Sequence, residues 1–302
     1  MLPFTLRNAL AQAAHPDRLV FGVVEQAQPG QHFATPAGWG RQLRWSRLPA
    51  QESRGPCWAR ALAMALYQGE HWYLQVDSHT WFEPGWDERL LRWAAICSEL
   101  NPRCLLTCYP NPFRMEAGQP RAMIVSDRVL AHVVKEGQAF DAQHPTLLFE
   151  CVPVASEVPV AGLHVAAGAL FAPGRMVDEL PYDPQLFFHG EEQALALRAY
   201  TRGWDIFHVP QMPLYHLYTE PGAASRPLHW SPEHDAQRAI TSQQLTLHAQ
   251  QRLRALLWDG ADLGVYGLGQ VRSLADYAAF SGIDYAARHI APCARKSRFG
   301  YG

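Results

Sequence analysis

The stretch that most constrains this chain is residues 71–87, HWYLQVDSHTWFEPGWD, in which a short apolar run ends in an acidic residue, a serine and a histidine. The run is aromatic and branched, and it is too short for a helix, so it predicts a buried, central β-strand. Asp77 and His79 follow at a spacing of two, which places both side chains on one side of an extended chain. The carboxyl end of such a strand is where ligands bind in open α/β sheets. The pair therefore suits a divalent ion such as Mn²⁺, with water and diphosphate oxygens as further ligands.

Composition places the chain among ordinary globular proteins. It has 302 residues, of which 48% are apolar and 18% charged, so it can bury a substantial core. A net charge of −2 gives no general attraction to nucleic acid or to an anionic membrane. No apolar run approaches the roughly 20 residues that span a bilayer, and the N-terminus lacks the layout of a secretory signal. We therefore expect a cytoplasmic protein with no nucleic-acid partner and no transmembrane segment.

The six cysteines occur without a CxxC pair, which argues against a zinc site and favours reduced, mostly buried thiols.

Helical and strand patterns alternate along the chain, which predicts an α/β protein. Caps and breakers such as Pro56 and Gly69 bound the segment between them as an amphipathic helix. The other predicted segments are helices at 5–14, 87–100 and 191–203 and strands at 18–26, 72–76, 103–110, 146–154 and 204–210. The chain thus opens with a helix and then a strand.

A second informative stretch covers residues 181–218. Glu191 and Glu192 start its predicted helix, where each would stabilise the helix by about 0.3–1 kcal/mol through the helix dipole. After the strand at 204–210 the chain reads PLYHLY, in which His216 lies between aromatic residues. His216 is either a hydrogen-bonded core histidine or a ligand, and the residues alone leave both interpretations open.

Two further segments also have a structural and a ligand-binding interpretation. Arg60 lies in the first turn of the helix that begins at Pro56, where an arginine is ordinarily a surface or salt-bridged residue. A guanidinium near a helix N-terminus is also placed to meet a diphosphate. The segment 163–174, LHVAAGALFAPG, is rich in small residues, which either allow close packing or leave room for a ligand.

Three motifs in these stretches resemble a known family. They are LQVDSHTWFEPGWD in the first stretch, GPCWAR at 55–60, and Gly-Glu-Glu with the following Tyr-x-x-Gly-Trp-Asp in the second. The sequence resembles the metal-dependent glycosyltransferases typified by the cytosolic hydroxyproline N-acetylglucosaminyltransferases. It is also similar to the polypeptide N-acetylgalactosaminyltransferases, which have an Asp-x-His motif and a Gly-Gly-Glu loop. The resemblance covers residues 4–285.

The resemblance implies a fold of the GT-A type, which binds nucleotide sugars with a central, mostly parallel sheet flanked by helices. Such enzymes normally begin one strand earlier than this chain does, so the resemblance also implies that the usual first strand is lacking. Either the sequence starts late, or this protein binds the base of the nucleotide in a different way. We expect the GT-A-like domain at residues 1–220 and a C-terminal helical extension at 221–302, packed on the same domain.

The activity implied by the resemblance is retaining transfer of a sugar, N-acetylglucosamine, from a UDP-sugar to an acceptor hydroxyl on a protein, a glycan or a lipid-linked sugar. Asp77, His79 and His216 would bind Mn²⁺ or Mg²⁺. Glu191 and Glu192 would be the catalytic residues that face the acceptor and the sugar. The implied donor-binding residues are Arg60, Ser78, His164, Gly168, Arg226 and Trp230.

Two alternatives from other functional classes remain at this point. The lacking first strand would suit a non-catalytic module that binds a sugar nucleotide or a glycan. The two-histidine, one-carboxylate set is also found in non-haem iron oxygenases, although the strands and Trp-rich segments here do not resemble the barrel of those enzymes.

Overall fold

The computed structural model describes residues 1–28, 30–36, 38–124, 128–218 and 235–296. Within these residues the α-helices are α1 (Leu2–Gln12), α2 (Pro56–Met64), α3 (Trp86–Leu100), α4 (Met176–Glu179), α5 (Glu191–Thr201), α6 (Ser242–Leu257) and α7 (Leu274–Ser281). The strands are β1 (Phe21–Ala27), β2 (Leu43–Pro49), β3 (Trp72–Val76), β4 (Thr80–Phe82), β5 (Cys104–Thr107), β6 (Asn111–Glu116), β7 (Gln119–Ala122), β8 (Val129–Val134), β9 (Phe149–Val154), β10 (Val160–Gly162), β11 (Ala169–Pro173), β12 (Asp205–His208), β13 (Leu214–His216), β14 (Ile283–Asp284) and β15 (His289–Ile290). The predicted α/β class is confirmed.

The largest sheet has five strands in the order β10-β12-β5-β11-β3. β12 and β5 are parallel, whereas β10 is antiparallel to β12, and β11 is antiparallel to both β5 and β3. Three of the five strands, β3, β5 and β12, therefore run in one direction. Neighbouring pairs are nevertheless mainly antiparallel, because β11 lies between β3 and β5. The sheet is therefore mixed. Three of its strands run in the same direction, as expected of a mostly parallel sheet, but only the neighbouring strands β12 and β5 form a parallel pair.

The strand that ends in Asp77 is present, but its predicted central position is wrong for the sheet that the structure describes. β3 is an edge strand of that sheet, and most of its residues are only half-buried. Trp72 stacks on Phe171 of β11, with ring centroids 5.1 Å apart. The apolar composition of the run reflects its packing against other side chains, not the number of its neighbouring strands.

Alternation along the strands divides the core into two layers, one on each face of the sheet. In β11, Leu170 and Ala172 belong to one hydrophobic cluster, and Ala169 and Phe171 belong to the other. The first cluster contains residues of α2, α5, α6 and α7, and the second contains residues of α1 and α3. The sheet is therefore covered by helices on both faces, as expected for the α/β class.

A second sheet has four strands in the order β4-β13-β6-β7. β13 is antiparallel to β4 and parallel to β6. This sheet joins the two informative stretches of the sequence, because β13 belongs to the second stretch and β4 to the first. The segment 111–144 contains the β6–β7 hairpin and β8.

The C-terminal elements share a hydrophobic core with the rest of the chain. Leu253 and Leu257 of α6 and Tyr277 of α7 are buried in the same cluster as Ala194 and Leu197 of α5. The extension also contains the short β14–β15 pair. The predicted boundary between residues 220 and 221 lies outside the described residues, so that division stays a prediction.

At the other end of the chain, the order of helix and then strand is confirmed by α1 and β1. β1 pairs in parallel with β2 in a separate two-stranded sheet. Asp87 of α3 ties α1 to the body of the protein, because its carboxylate accepts the backbone N–H groups of Ala14 and His15 at 2.8 and 2.9 Å. The lack of the usual first strand stays a prediction.

Within the described residues, every helix falls short of the length and apolar character needed to cross a membrane. All six cysteines lie in this part of the chain, and no disulfide joins them.

One backbone position at the start of α2 requires glycine. Gly55 has φ +89° and ψ −179°, a conformation essentially restricted to glycine. A Cβ atom at this position would lie 2.5 Å from the ring of Phe187 and 2.9 Å from its carbonyl oxygen. Gly55 therefore allows the N-terminus of α2 to lie directly against the segment that leads into α5.

We expect Gly55→Ala to destabilise the protein more than Gly118→Ala does. Both glycines have positive φ, but a Cβ at Gly118 would have no heavy atom within 4 Å. The control therefore carries only the backbone strain, about 1–3 kcal/mol, whereas Gly55→Ala adds the overlap with Phe187. Urea unfolding of both variants measures the difference. Equal unfolding free energies would contradict this account of the α2 N-terminus.

Candidate active site

Three candidate metal ligands converge at the carboxyl end of β3. Asp77 follows β3 directly, His79 precedes β4, and His216 is the last residue of β13. In the β13–β4 pair, His216 lies opposite Thr80, and the Leu217 N–H donates to the His79 carbonyl at 3.0 Å. This pairing brings together side chains 139 positions apart in the sequence.

The three side chains have the geometry of a metal site. Asp77 Oδ2 lies 3.2 Å from His216 Nε2 and 3.9 Å from His79 Nε2, and one ligand atom from each residue lies within 4.8 Å of the others. Two ligands of one ion are separated by at most twice the metal–ligand bond, about 4–5 Å for bonds of about 2.0–2.6 Å. One carboxylate and two imidazoles therefore fit a single divalent ion and leave other coordination positions open.

Arg60 fixes the orientation of the Asp77 carboxylate. Its guanidinium donates to Asp77 Oδ1 at 3.0 Å, so that Oδ2 is the oxygen directed at both imidazoles. Burial alone would raise the pKa of Asp77, but the hydrogen bond to His216 and the charges of Arg60 and His79 hold that pKa well below its usual range. The carboxylate is therefore ionised, as a metal ligand must be.

The same guanidinium binds Glu191, which starts α5. Arg60 donates to Glu191 Oε1 at 2.6 Å, and the Cys57 thiol donates to Glu191 Oε2 at 2.9 Å. The Glu191 side chain is only 5% exposed, which leaves little surface for a substrate. Burial raises the pKa of Glu191, and the charge of Arg60 offsets part of that effect. Glu191 therefore holds Arg60 in place from the interior side.

Glu192 occupies a different environment from its neighbour. Its Oε1 accepts the Ala167 N–H at 2.6 Å and its Oε2 accepts the Tyr109 hydroxyl at 3.2 Å, with His164 Nε2 at 3.6 Å. Burial acts to raise the pKa of Glu192, but His164 and the Ala167 N–H bring it below its ordinary value. With 26% of its side chain exposed, Glu192 is the more accessible of the two glutamates.

Gly168 lies against two of the candidate metal ligands. A Cβ atom there would lie 3.2 Å from Asp77 Oδ2 and 3.7 Å from His216 Cδ2, so the glycine leaves the space that the carboxylate and the imidazole use. His164 is 2% exposed and stacks on Phe149, with ring centroids 3.6 Å apart. Its ring faces Glu192 and is largely shielded from solvent.

The remaining candidates for binding the donor are Ser78, Arg226 and Trp230. Ser78 is exposed beside the candidate metal ligands, and its carbonyl accepts the Thr5 hydroxyl at 3.0 Å. Arg226 and Trp230 lie outside the described residues.

Sequence reasoning missed Tyr109 and the role of Cys57. Tyr109 comes two positions after β5 and bonds Glu192. Because β5 runs in the same direction as β3, its carboxyl end meets the same edge of the sheet. Applying that rule to every strand, and not only to the one ending in Asp77, would have found Tyr109. Cys57 was part of the GPCWAR motif, but no sequence signal indicated its bond to Glu191.

The fold is similar to that of a solved glycosyltransferase. The crystal structure of GalNAc-T7 with UDP, GalNAc and Mn²⁺ matches with a TM-score of 0.50 and 17% sequence identity, over 80% of this chain and 44% of that chain. The chain thus corresponds to less than half of that protein's length. The match confirms the expected GT-A-like fold.

No curated protein matches the sequence. The model of the family described as Glycosyltransferase (GlcNAc) matches residues 31–287. This range includes the candidate metal ligands, Arg60 and both glutamates. The chain therefore belongs to the Glycosyltransferase (GlcNAc) family.

Proposed function

We propose that the protein transfers N-acetylglucosamine from UDP-N-acetylglucosamine to an acceptor hydroxyl, with Mn²⁺ or Mg²⁺ bound by Asp77, His79 and His216. The observation that carries the proposal is the convergence of these three side chains beside Arg60. The family description supports the donor sugar, and the UDP and Mn²⁺ bound to GalNAc-T7 support the nucleotide and the metal.

The departure of UDP places negative charge on its diphosphate, and stabilising that charge is the main electrostatic requirement of the reaction. A bound divalent ion supplies Lewis-acid stabilisation of the diphosphate. Asp77, His79 and His216 would hold the ion at the end of β3. Arg60 keeps the Asp77 carboxylate oriented and adds positive charge next to the ion. Ser78 and Gly168 flank these ligands, and we propose both as donor contacts, together with Arg226 and Trp230.

We propose that the reaction retains the configuration at the anomeric carbon through attack from the face that the diphosphate leaves. Double displacement would need a carboxylate nucleophile. Glu191 is bound by Arg60 and Cys57, and Glu192 is bound by Tyr109 and the Ala167 N–H. Both carboxylates are therefore engaged in hydrogen bonds that weaken them as nucleophiles.

The two glutamates have different roles in this proposal. Glu192, the more exposed, contacts the sugar or the acceptor hydroxyl, with His164 held against it. Glu191 positions Arg60. The acceptor hydroxyl belongs to a protein, a glycan or a lipid-linked sugar.

We expect His216→Ala to weaken Mn²⁺ binding by more than about 100-fold, because the loss of a direct ligand exceeds the 10–100-fold cost of outer-shell changes. Isothermal titration with Mn²⁺ measures the affinity. His71→Ala, which removes an exposed histidine just before β3, is the matched control and should leave the affinity unchanged. Equal affinities for the two variants would remove His216 from the site.

Asp77→Asn should lower Mn²⁺-dependent UDP release by at least about 100-fold, since it removes the anionic ligand. The measurement is UDP release across several UDP-sugars, with the exposed Asp178→Asn as the control. UDP-N-acetylglucosamine should give the fastest release. Undiminished release by Asp77→Asn would overturn the metal assignment. UDP binding without release by the wild type would favour the non-catalytic binding module instead.

Glu191→Gln and Glu192→Gln should separate the two roles. Replacing Glu191 leaves Arg60, which is largely shielded from solvent, without one of its two carboxylates, so we expect lower thermal stability and weaker Mn²⁺ binding. Glu192→Gln keeps an oxygen for the Ala167 N–H, so stability and Mn²⁺ affinity should be retained while kcat falls at least about tenfold. Thermal unfolding, Mn²⁺ titration and UDP release test the pair. Wild-type kcat in Glu192→Gln would refute its catalytic role.

A further inference from the structure

The loop between β10 and β11, residues 163–168, is held by side chains from several surrounding elements. It carries His164, Ala167 and Gly168, the residues that reach Glu192 and Asp77. The side chains that bind its backbone are Thr107 to the Ala166 N–H, Gln75 to the Ala167 carbonyl, Tyr277 to the Leu163 carbonyl, and His132 and His208 to the His164 carbonyl.

His132 and His208 hold the His164 carbonyl between them. His132 Nδ1 lies 3.2 Å from that oxygen and His208 Nε2 lies 3.0 Å from it. A carbonyl only accepts hydrogen bonds, so both ring nitrogens must carry a proton. The two rings lie on β8 and β12, and both histidines are at most 2% exposed.

The other nitrogen of each ring accepts a backbone N–H. The Tyr109 N–H donates to His132 Nε2 at 3.0 Å, and the His132 N–H donates to His208 Nδ1 at 3.3 Å. A nitrogen that accepts a hydrogen bond carries no proton, so each ring is neutral and has one fixed tautomer. Protonation of either ring would place an N–H group against a backbone N–H.

The close approach of His208 also depends on Gly162 at the end of β10. A Cβ atom at Gly162 would lie 2.6 Å from His208 Nε2, closer than real contacts allow. The absence of a side chain at that position therefore makes room for the ring that binds the His164 carbonyl.

We propose that His132 and His208 are positioning residues for the active site. By fixing the His164 carbonyl, they set the 163–168 loop so that the His164 ring and the Ala167 N–H meet Glu192 and Gly168 lies against Asp77. The role in transfer rests on the proposed function, whereas the positioning of the loop does not. Neither histidine contacts the reacting atoms.

Amide hydrogen exchange at Ala166, Ala167 and Ala169 tests the positioning directly, because the first two N–H groups are hydrogen-bonded within the loop and that of Ala169, the residue after it, donates to the Ala166 carbonyl. In His132→Leu and His208→Leu these amides should exchange at least about tenfold faster. His132→Gln and His208→Gln, whose amides both donate and accept, should restore protection and the rate of UDP release. Val133→Ala is the control, since Val133 is buried on β8 beside His132 and its loss destabilises the fold without touching the loop carbonyl.

Unchanged exchange in the Leu variants, or the same increase in Val133→Ala, would overturn the proposal. The exchange measurement needs no sugar donor. A wild type that fails to release UDP would therefore refute the proposed function and leave this test intact.

A pH series tests the neutral state of both rings. The groups that face them are each other, His164, Tyr109, Cys151 and, through His164, Glu192. Burial lowers the pKa of His132 well below its usual value and that of His208 to about 4. A histidine in the unfolded chain has a pKa of about 6.5, so below that pH the unfolded chain binds more protons than the folded protein. The contribution of the two neutral rings to the free energy of unfolding is therefore complete above that pH and is lost as the pH falls toward 4. In the Gln variants, the slope of the unfolding free energy against pH, expressed as protons taken up on unfolding, should decrease by up to about one proton per histidine. An unchanged slope would contradict the neutral state of the rings.

Discussion

The candidate active site depends on one guanidinium that is shared between two carboxylates from distant parts of the chain. Arg60 binds Asp77 and Glu191, which lie after β3 and at the start of α5. Two carboxylates and one guanidinium leave an excess of negative charge when both acids are ionised. Such a cluster is costly to bury unless further positive charge is present. A divalent cation next to Asp77 would add positive charge to this cluster, in agreement with the metal site proposed above.

The architecture around this cluster explains why its parts are rigid. Helices cover both faces of the central sheet, and α2 and α5 lie in the same core cluster on one face. Gly55 allows α2 to lie against the segment leading into α5. The second sheet then brings His216 to His79 by backbone pairing. Each candidate ligand therefore lies at or next to the end of a strand, so that only short segments separate the site from regular structure.

Much of this arrangement was predictable because it follows local rules. The helix at α5, the strand ending in Asp77 and the Asp-x-His spacing all follow from residue type and periodicity. His216 could be selected only through the family resemblance, because a histidine between aromatic residues is equally compatible with a core. The edge position of β3 was not predictable, since apolar composition reports burial and not strand neighbours. The separation of Glu191 from Glu192 was also hidden, because adjacent helix residues point about 100° apart and only the packing decides which one faces inward.

The sequence by itself determined the α/β class, the family and the residue types from which a metal site could be built. These depend on short-range patterns that survive without coordinates. Only the tertiary structure decided which glutamate binds Arg60, that Tyr109 and Cys57 belong to the site, and that two neutral histidines hold the loop beside it. Those facts are contacts between residues far apart in the sequence, and their geometry arises from the packing of whole elements, which no local pattern encodes.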